Sequence, residues 1–352
     1  MELNGPKLYI SGLGAVSPAG WTVPALLQAL GLQQPLPAQP LNRPGWGQSL
    51  KVCAVPPPPE RPAFLSHPRL RRASPLTHYA AAATLEAVAG LSSEVRQCGL
   101  GLIFCLQTGP VQYAARFLHE VIQDPATASP LLFPETVFSA PASHVAALLG
   151  QPPLVHTLLG DPGVLLKGVA MAAGWLAAGR VSACVVVGAE ELNWVQADAI
   201  RHFNRAAVFS AGAAAVCLSL NPACSIGAAF AAITDPERVT AKRRQRDAAV
   251  AMRRQLGQAA PGELLCDGLG AAPRLCKAEA DAWQDWAGPR LSPKGVLGEG
   301  LVAAGGWQIV AAAAKVAAGE YESAIISLVT CAQEAIGARL VRSVAGRQAS
   351  AK

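Results

Sequence analysis

The chain has 352 residues, 51% of them hydrophobic and 15% charged, with a formal net charge of +6. This composition supports a large buried core in one large or two ordinary domains and excludes a mostly disordered chain. A charge balance this modest, with no recognised motif and no aromatics interleaved with basic residues, argues against nucleic acid as the partner.

In chain order, MELNGPKLYI lacks a basic region followed by an apolar core, so no signal peptide is expected. KLYISGLG (7–14) reads as a strand and 23–30 as a helix. The stretch 35–62, with PPPP at 56–59, reads as an extended loop. Arg69, Arg71 and Arg72 form a basic cluster just before a helix at 75–90. GLGLIFCL (99–106) is a strand, and 111–122 and 141–150 are helices. LVHTLL then runs into a tight turn, Gly160-Asp161-Pro162-Gly163, and an Ala-rich helix over 164–178. Several enzyme folds display a nucleophile at such a strand–turn–helix corner, where the helix N-terminus stabilises negative charge. The tip here holds no Ser, Cys, Thr or Lys.

ACVVVGAE (183–190), AAAVCLSL (213–220) and SIGAAFAAI (225–233) follow as strands. The uncharged run 210–234 is long enough to cross a bilayer, but Asn221-Pro222 in its middle favours two buried strands and a turn. ERVTAKRRQRDAAVAMRRQLG reads as a helix over 238–257 carrying Lys242, Arg243, Arg244, Arg246, Arg253 and Arg254. That cluster is either a solvated face or a surface for an acidic protein. A helix over 301–318, whose Gly305-Gly306 pair and Lys315 suit a globular interior, precedes a last strand, SAIISLV (323–329). Strands alternating with helices in this way predict an α/β protein with much parallel sheet.

The nine cysteines include no CxxC and no His at a ligand-like distance from a Cys pair, so reduced, mostly buried thiols in a cytoplasmic protein are expected, with no metal. AAGRVSACVVV (177–187) and AAGEYESAIISL (317–328) share a pattern: a helix closing on Gly, a short link, Ser-Ala, then a strand. Each follows an Ala-rich helix with a Trp, Trp175 or Trp307. The repeat is either a chance likeness of Ala-rich helices or a duplicated α/β half whose second copy begins near Ser225.

YISGLGAVSPAG (9–20), RRASPLTHYAAAATLEAV (71–88), LLFPETVFSAPASHVAALLG (131–150), GRVSACVVVGAEEL (179–192) and SPKGVLGEGLVAAGG (292–306), in that order and spacing, resemble the β-ketoacyl-acyl carrier protein synthases over nearly the whole chain. The resemblance implies an α/β, thiolase-like fold of two duplicated halves, layered α-β-α-β-α. Residues 1–224 would form the half with the elbow and 225–352 the other, packed as one unit. The family's reaction needs a Cys at the elbow and two histidines that stabilise the enolate and oxyanion. Counting back from GAEE puts the Cys position at Pro162, or at Asp161 if the turn shifts by one. DGLGA (267–271) puts Asp267 at the first histidine; KGVLGEG (294–300) keeps the family's Lys as Lys294 and puts Glu299 at the second. All six histidines precede Phe203, and the family's terminal Gly-rich loop is not recognisable at 327–337.

The resemblance therefore implies a non-catalytic subunit of the chain-length-factor type, as in polyketide or aryl-polyene systems, without a cofactor. It would form a heterodimer with an active β-ketoacyl synthase and meet acyl carrier protein through the complex. Gln107, Thr108, Pro110, Val111 and Phe117 become candidates for the pocket that sets chain length, with plain packing as the other reading. Ser139, Ala140, Pro141 and Ser143 become interface candidates, and Arg69, Arg71, Arg72, Lys242, Arg243 and Arg244 carrier-docking candidates. The alternatives are an active acyl-thioester decarboxylase or hydrolase using Asp267 and Glu299, and a homodimeric structural protein.

Overall fold

The structure, a computed structural model, describes residues 7–93, 95, 99–150, 154–203, 205–270, 273–330 and 334–344. β1 (Leu8–Val16), α1 (Val23–Leu32), β2 (Gln39–Leu41), β3 (Leu50–Cys53) and α2 (Pro75–Val88) come first. They lead to β4 (Leu100–Leu106), α3 (Val111–Gln123), α4 (Ala140–Leu148), β5 (Leu154–Leu159) and α5 (Val164–Ala177). β6 (Ala183–Glu190), α6 (Trp194–Phe203), β7 (Phe209–Ser210), β8 (Gly212–Ser219) and β9 (Ala228–Ile233) follow. The rest comprises β10 (Glu237–Arg238), α7 (Gln245–Leu256), β11 (Leu264–Cys266), α8 (Pro273–Ala282), β12 (Arg290–Leu291), α9 (Pro293–Leu297), α10 (Val302–Ala317), β13 (Ser323–Val329) and β14 (Glu334–Arg342).

The main sheet runs β12-β11-β13-β14-β9-β1-β8-β6-β4-β5, with β10 attached to β14. Strands after Cys224 fill one side of this row and earlier ones the other. Numbered within its own side, each set of five stands in the order third, second, fourth, fifth, first. On both sides the fifth strand is antiparallel to its neighbours, while the second is parallel to the third and fourth. One permutation used twice is a duplicated half, joined where Leu8 and Tyr9 of β1 meet Phe230 and Ala229 of β9.

The repeat seen in sequence is repeated in geometry. After α5, the Gly179 N–H donates to the Leu176 carbonyl and the Arg180 N–H to that of Trp175; after α10, Gly319 and Glu320 donate to Val316 and Lys315. Gly179 and Gly319 have φ of 65° and 77°, the left-handed cap that glycine adopts without strain. Both helices lie in the central layer. α5 packs on β4 and β6, and α10 touches strands of both sides. The largest apolar cluster, including Leu165, Val169, Val302 and Ile309, fills this layer. Trp307 is fully buried and donates its indole N–H to the Val16 and Ala213 carbonyls. α2 covers β1, β8 and β6 from outside, and α7 with α8 covers the β13–β14 region, which completes the α-β-α-β-α layering. α2 lies close because β1 carries glycine beneath it. A Cβ at Gly14 would fall 1.8 Å from the Ala83 carbonyl oxygen.

The helix expected from 238 begins at Gln245 instead. Glu237 and Arg238 pair with β14, and Thr240 and Arg243 exchange backbone bonds in a tight turn. The Thr240 hydroxyl accepts from the Lys242 N–H, a local bond that competes with helix. Lys242, Arg243 and Arg244 thus precede the helix. The expected loop at 35–62 contains β2 and β3, which join β7 in a small separate sheet. β14 lacks a counterpart among the expected strands; its neighbours 331–333, in the expected Gly-rich loop, lie outside the described residues. Among the described residues, no helix is long and apolar enough to cross a membrane. Every described cysteine is free, and five are buried; Cys98 and Cys331 lie outside that set.

Candidate functional site

The carboxyl ends of β5, β4 and β6 converge, which is where open α/β sheets bind ligands. β5 is the edge strand, and the Gly160 N–H just beyond it donates to the Leu106 carbonyl at 3.1 Å. The turn 160–163 then enters α5. Asp161 is buried, with Oδ1 accepting from the Gly163 N–H at 3.1 Å and Oδ2 lying 2.6 Å from the Thr330 hydroxyl. That hydroxyl also accepts from the Glu334 N–H, and the Glu334 carboxylate holds Lys167 Nζ at 2.6 Å. The helix N-terminus therefore already holds the chain's own carboxylate, the charge its dipole favours.

Pro162 offers no N–H to an oxyanion, and its carbonyl packs against Gly305, where a Cβ would sit 3.0 Å away. No residue of the turn has positive φ, and Gly163 is right-handed at −65°. A nucleophile elbow is a strained corner; this one is relaxed. Thr330→Val is expected to lower stability by about 1–2 kcal/mol, read from the urea midpoint, because Asp161 loses a buried donor.

Asp267 is fully buried and held on every side. Oδ2 accepts from Arg290 Nη1 at 2.8 Å; Oδ1 accepts from the Ser292 hydroxyl at 2.6 Å and the Leu269 N–H at 3.1 Å. Burial pushes its pKa up against the pull of these donors. Glu279 of α8, which the sequence did not single out, lies beside it. It accepts from the Gly268 N–H at 3.2 Å and from the Ser327 hydroxyl. Burial, with Asp267 adding, raises the Glu279 pKa to about 8.

Glu299 faces Lys294, with Nζ 2.9 Å from Oε2, and its Oε1 accepts from the Leu301 N–H at 3.0 Å. Leu301 is one of two non-glycine residues with positive φ among the described residues, at 50°. Glu299 thus braces a strained backbone. Burial acts to lower the Lys294 pKa, but Glu299, joined by Glu279 and Cys276, outweighs it and holds the ammonium above its ordinary range. Gly268, Gly270, Cys276, Lys294 and Glu299 share a cavity of about 70 Å³ that neither Asp161 nor Pro162 lines. Ordinary small-molecule sites begin near roughly 300 Å³. A surface groove of about 880 Å³ between α7 and α8 contains none of the expected catalytic positions. Among the described residues, no group of three or more His, Cys, Asp or Glu is placed to hold a metal.

The pocket candidates sit just past β4. Gln107 and Thr108 form the loop, Pro110 is buried, Val111 opens α3, and Phe117 lies 5.4 Å from Phe133, ring to ring. Two carboxylates at the end of β6 hold this segment, although in the sequence GAEE served only as a landmark. Glu190 accepts from the Gln107 N–H at 2.7 Å and from the Thr108 hydroxyl, to which Gln196 also donates. Glu191 accepts from the Gln112 N–H at 2.6 Å. Burial raises both pKa values to about 7.

α3 has no fully buried side chain; Leu118 is 58% and Ile122 73% exposed, while Phe117 and Val121 are half-buried. Phe133, Val137 and Phe138, together with Val155 and Leu159 on the unpaired edge of β5, are exposed too. Such apolar exposure around an open strand edge marks a surface made to be covered. Of the interface candidates, Ser139 and Ser143 are exposed, Ala140 is half-buried, and Pro141 is buried within the chain. Arg69, Arg71 and Arg72 line an open cavity of about 420 Å³ with Glu135 and His144, the latter on α4. Lys242, Arg243 and Arg244 precede α7 on the opposite outer layer, and Arg243 is paired with Glu237. The structure does not unite the two basic clusters.

No family model and no curated protein matches the sequence. Among solved structures, the ishigamide ketosynthase/chain length factor is similar with a TM-score of 0.79 at 20% identity, over 96% of this chain and 99% of that one. A β-ketoacyl synthase from Burkholderia phymatum STM815 gives 0.81 at 14% identity, over 96% and 100%. A ketosynthase in complex with its chain length factor from Xenorhabdus doucetiae gives 0.77 at 13%, over 96% and 98%. The chain thus has the thiolase-like ketosynthase fold.

Proposed function

We propose that the chain is a non-catalytic ketosynthase-like subunit of the chain-length-factor type. It pairs with an active β-ketoacyl synthase in the cytoplasm and helps shape the pocket for the growing chain in polyketide or fatty-acid-type biosynthesis. The elbow carries this reading: its tip is Pro162, and Asp161 turns inward onto Gly163 and Thr330. Solved structures of this fold that include a ketosynthase with its chain length factor support it. The apolar face of α3 and the free edge of β5 supply the surface for the partner, with Ser139, Ala140 and Ser143 at its border. Arg69, Arg71 and Arg72 then face the acidic carrier protein, and Lys242, Arg243 and Arg244 make a second, separate basic surface. The division at 224/225 belongs to the same reading, supported by the repeated strand order.

Co-expression with a Cys-containing ketosynthase from the same genome tests this. A stable one-to-one complex is expected by light scattering after gel filtration. A chain that stays a homodimer or monomer beside that partner would sink the proposal. An acyl-thioester hydrolase or decarboxylase built on Asp267 and Glu299 has less support, since both carboxylates are engaged by internal donors beside a cavity of about 70 Å³. It would require turnover by the isolated chain that Asp267→Asn or Glu299→Gln abolishes.

A further inference from the structure

We infer that Glu190 and Glu191 are positioning residues that fix the segment 107–112 and the start of α3, and thereby set which wall this subunit gives the pocket. The pocket wall rests on the proposed function; the clamp rests on geometry alone.

The two carboxylates grip opposite ends of one segment. Glu190 takes the Gln107 N–H and the Thr108 hydroxyl, and Gln196 of α6 closes the link from the far side of that hydroxyl. Glu191 takes the Gln112 N–H at the first turn of α3, whose N-cap, Pro110, has no side chain able to do so. Burial holds α3 only weakly, since none of its side chains is fully buried. Its orientation depends on this anchor, on Tyr113 and Gln112 side chains that donate to the Arg72 and Leu192 carbonyls, on the Ser129 N–H that donates to Glu120, and on the Phe117–Phe133 contact. The segment begins at Leu106, whose carbonyl is bonded to the elbow residue Gly160, and it borders the exposed apolar face at Phe138, whose ring packs on Gly109.

Both carboxylates are fully buried, and neither has a Lys or Arg partner among the described residues. Apolar packing would hold a loop more cheaply than two buried acids without a countercharge. What directed hydrogen bonds add is a fixed place for 107–112.

Glu190→Gln and Glu191→Gln keep the shape and, at about pH 8.5, above both raised pKa values, remove the anion. In the isolated chain, amide exchange at 107–112 is expected to quicken by about tenfold or more, the loss of a hydrogen bond to a charged group, with β6 and β8 unchanged. In the complex with the Cys-containing ketosynthase, fed malonyl-loaded carrier protein, the ratio of the main product to its two-carbon neighbours is expected to shift by about threefold or more at unchanged one-to-one stoichiometry. Thr108→Val cuts only the hydroxyl link and serves if Glu190→Gln does not fold. Unchanged exchange overturns the clamp. Faster exchange with an unchanged product ratio overturns the positioning role and leaves a scaffold. If the unsubstituted chain forms no complex, the proposed function falls while the exchange result still decides the clamp.

Discussion

Arg290→Met is expected to lower the unfolding free energy by about 3–5 kcal/mol near pH 8, because it leaves Asp267 buried without its cation. The Arg290 guanidinium bridges Asp267 Oδ2 and the Trp283 carbonyl, so its loss leaves Oδ2 without a donor and leaves the carbonyl only the Trp286 N–H. The penalty is expected to shrink as pH is lowered from about 8 to about 5, since burial favours the neutral acid. Urea unfolding at both pH values checks this, and Asp267→Asn in the Arg290→Met background should recover much of the loss. A variant as stable as the parent at the higher pH would mean that the pair contributes nothing.

Stability itself is expected to fall as pH rises from about 5.5 to about 8.5. Burial raises Glu190 and Glu191 to about 7 and Glu279 to about 8, from 4.5. Between the unfolded and folded values the native chain binds more protons than the unfolded one. The stabilisation from these three groups is therefore complete below about pH 4.5 and is lost as pH climbs through 7 and 8. Each tenfold gain in proton affinity on folding corresponds to about 1.4 kcal/mol, so the three together can move stability by several kcal/mol. A urea midpoint that holds steady or rises across the window would show that these acids are ionised throughout.

Strong periodicity and turn chemistry made most of the fold legible. β1, β4, β6, β8, β13, α2, α5 and α10 follow the apolar runs closely, because each is buried enough for composition to dictate it. The start of α7 was not legible, since Glu237 and Arg238 pair with β14, far away in sequence, and Thr240 to Arg243 close a turn behind them. β3 was hidden for a similar reason, because its parallel partner β7 lies about 160 residues later. At the site, the four letters GDPG showed that the turn holds no Ser, Cys, Thr or Lys. The work of Glu190, Glu191 and Glu279 was not. Acidic letters mark exposed positions in most sequences, and only the chain ends that converge on these three reveal that they are buried.

The relaxed elbow bears on evolutionary reversibility. Asp161 now holds the Gly163 N–H at the entry to α5, Asp267 neutralises Arg290, and Glu299 braces the strained Leu301. A Cys at 162 alone would sit in a corner whose strain is gone, beside a helix terminus still filled by Asp161. A His at 267 would strand Arg290, and one at 299 would release both Lys294 and the Leu301 N–H. On the proposed non-catalytic reading, each single step back toward a catalyst is expected to lower stability before it restores any chemistry. A lineage that reached this chain by such replacements would have no gradual route of return, and would depend for its chemistry on whatever second protein still carries the cysteine.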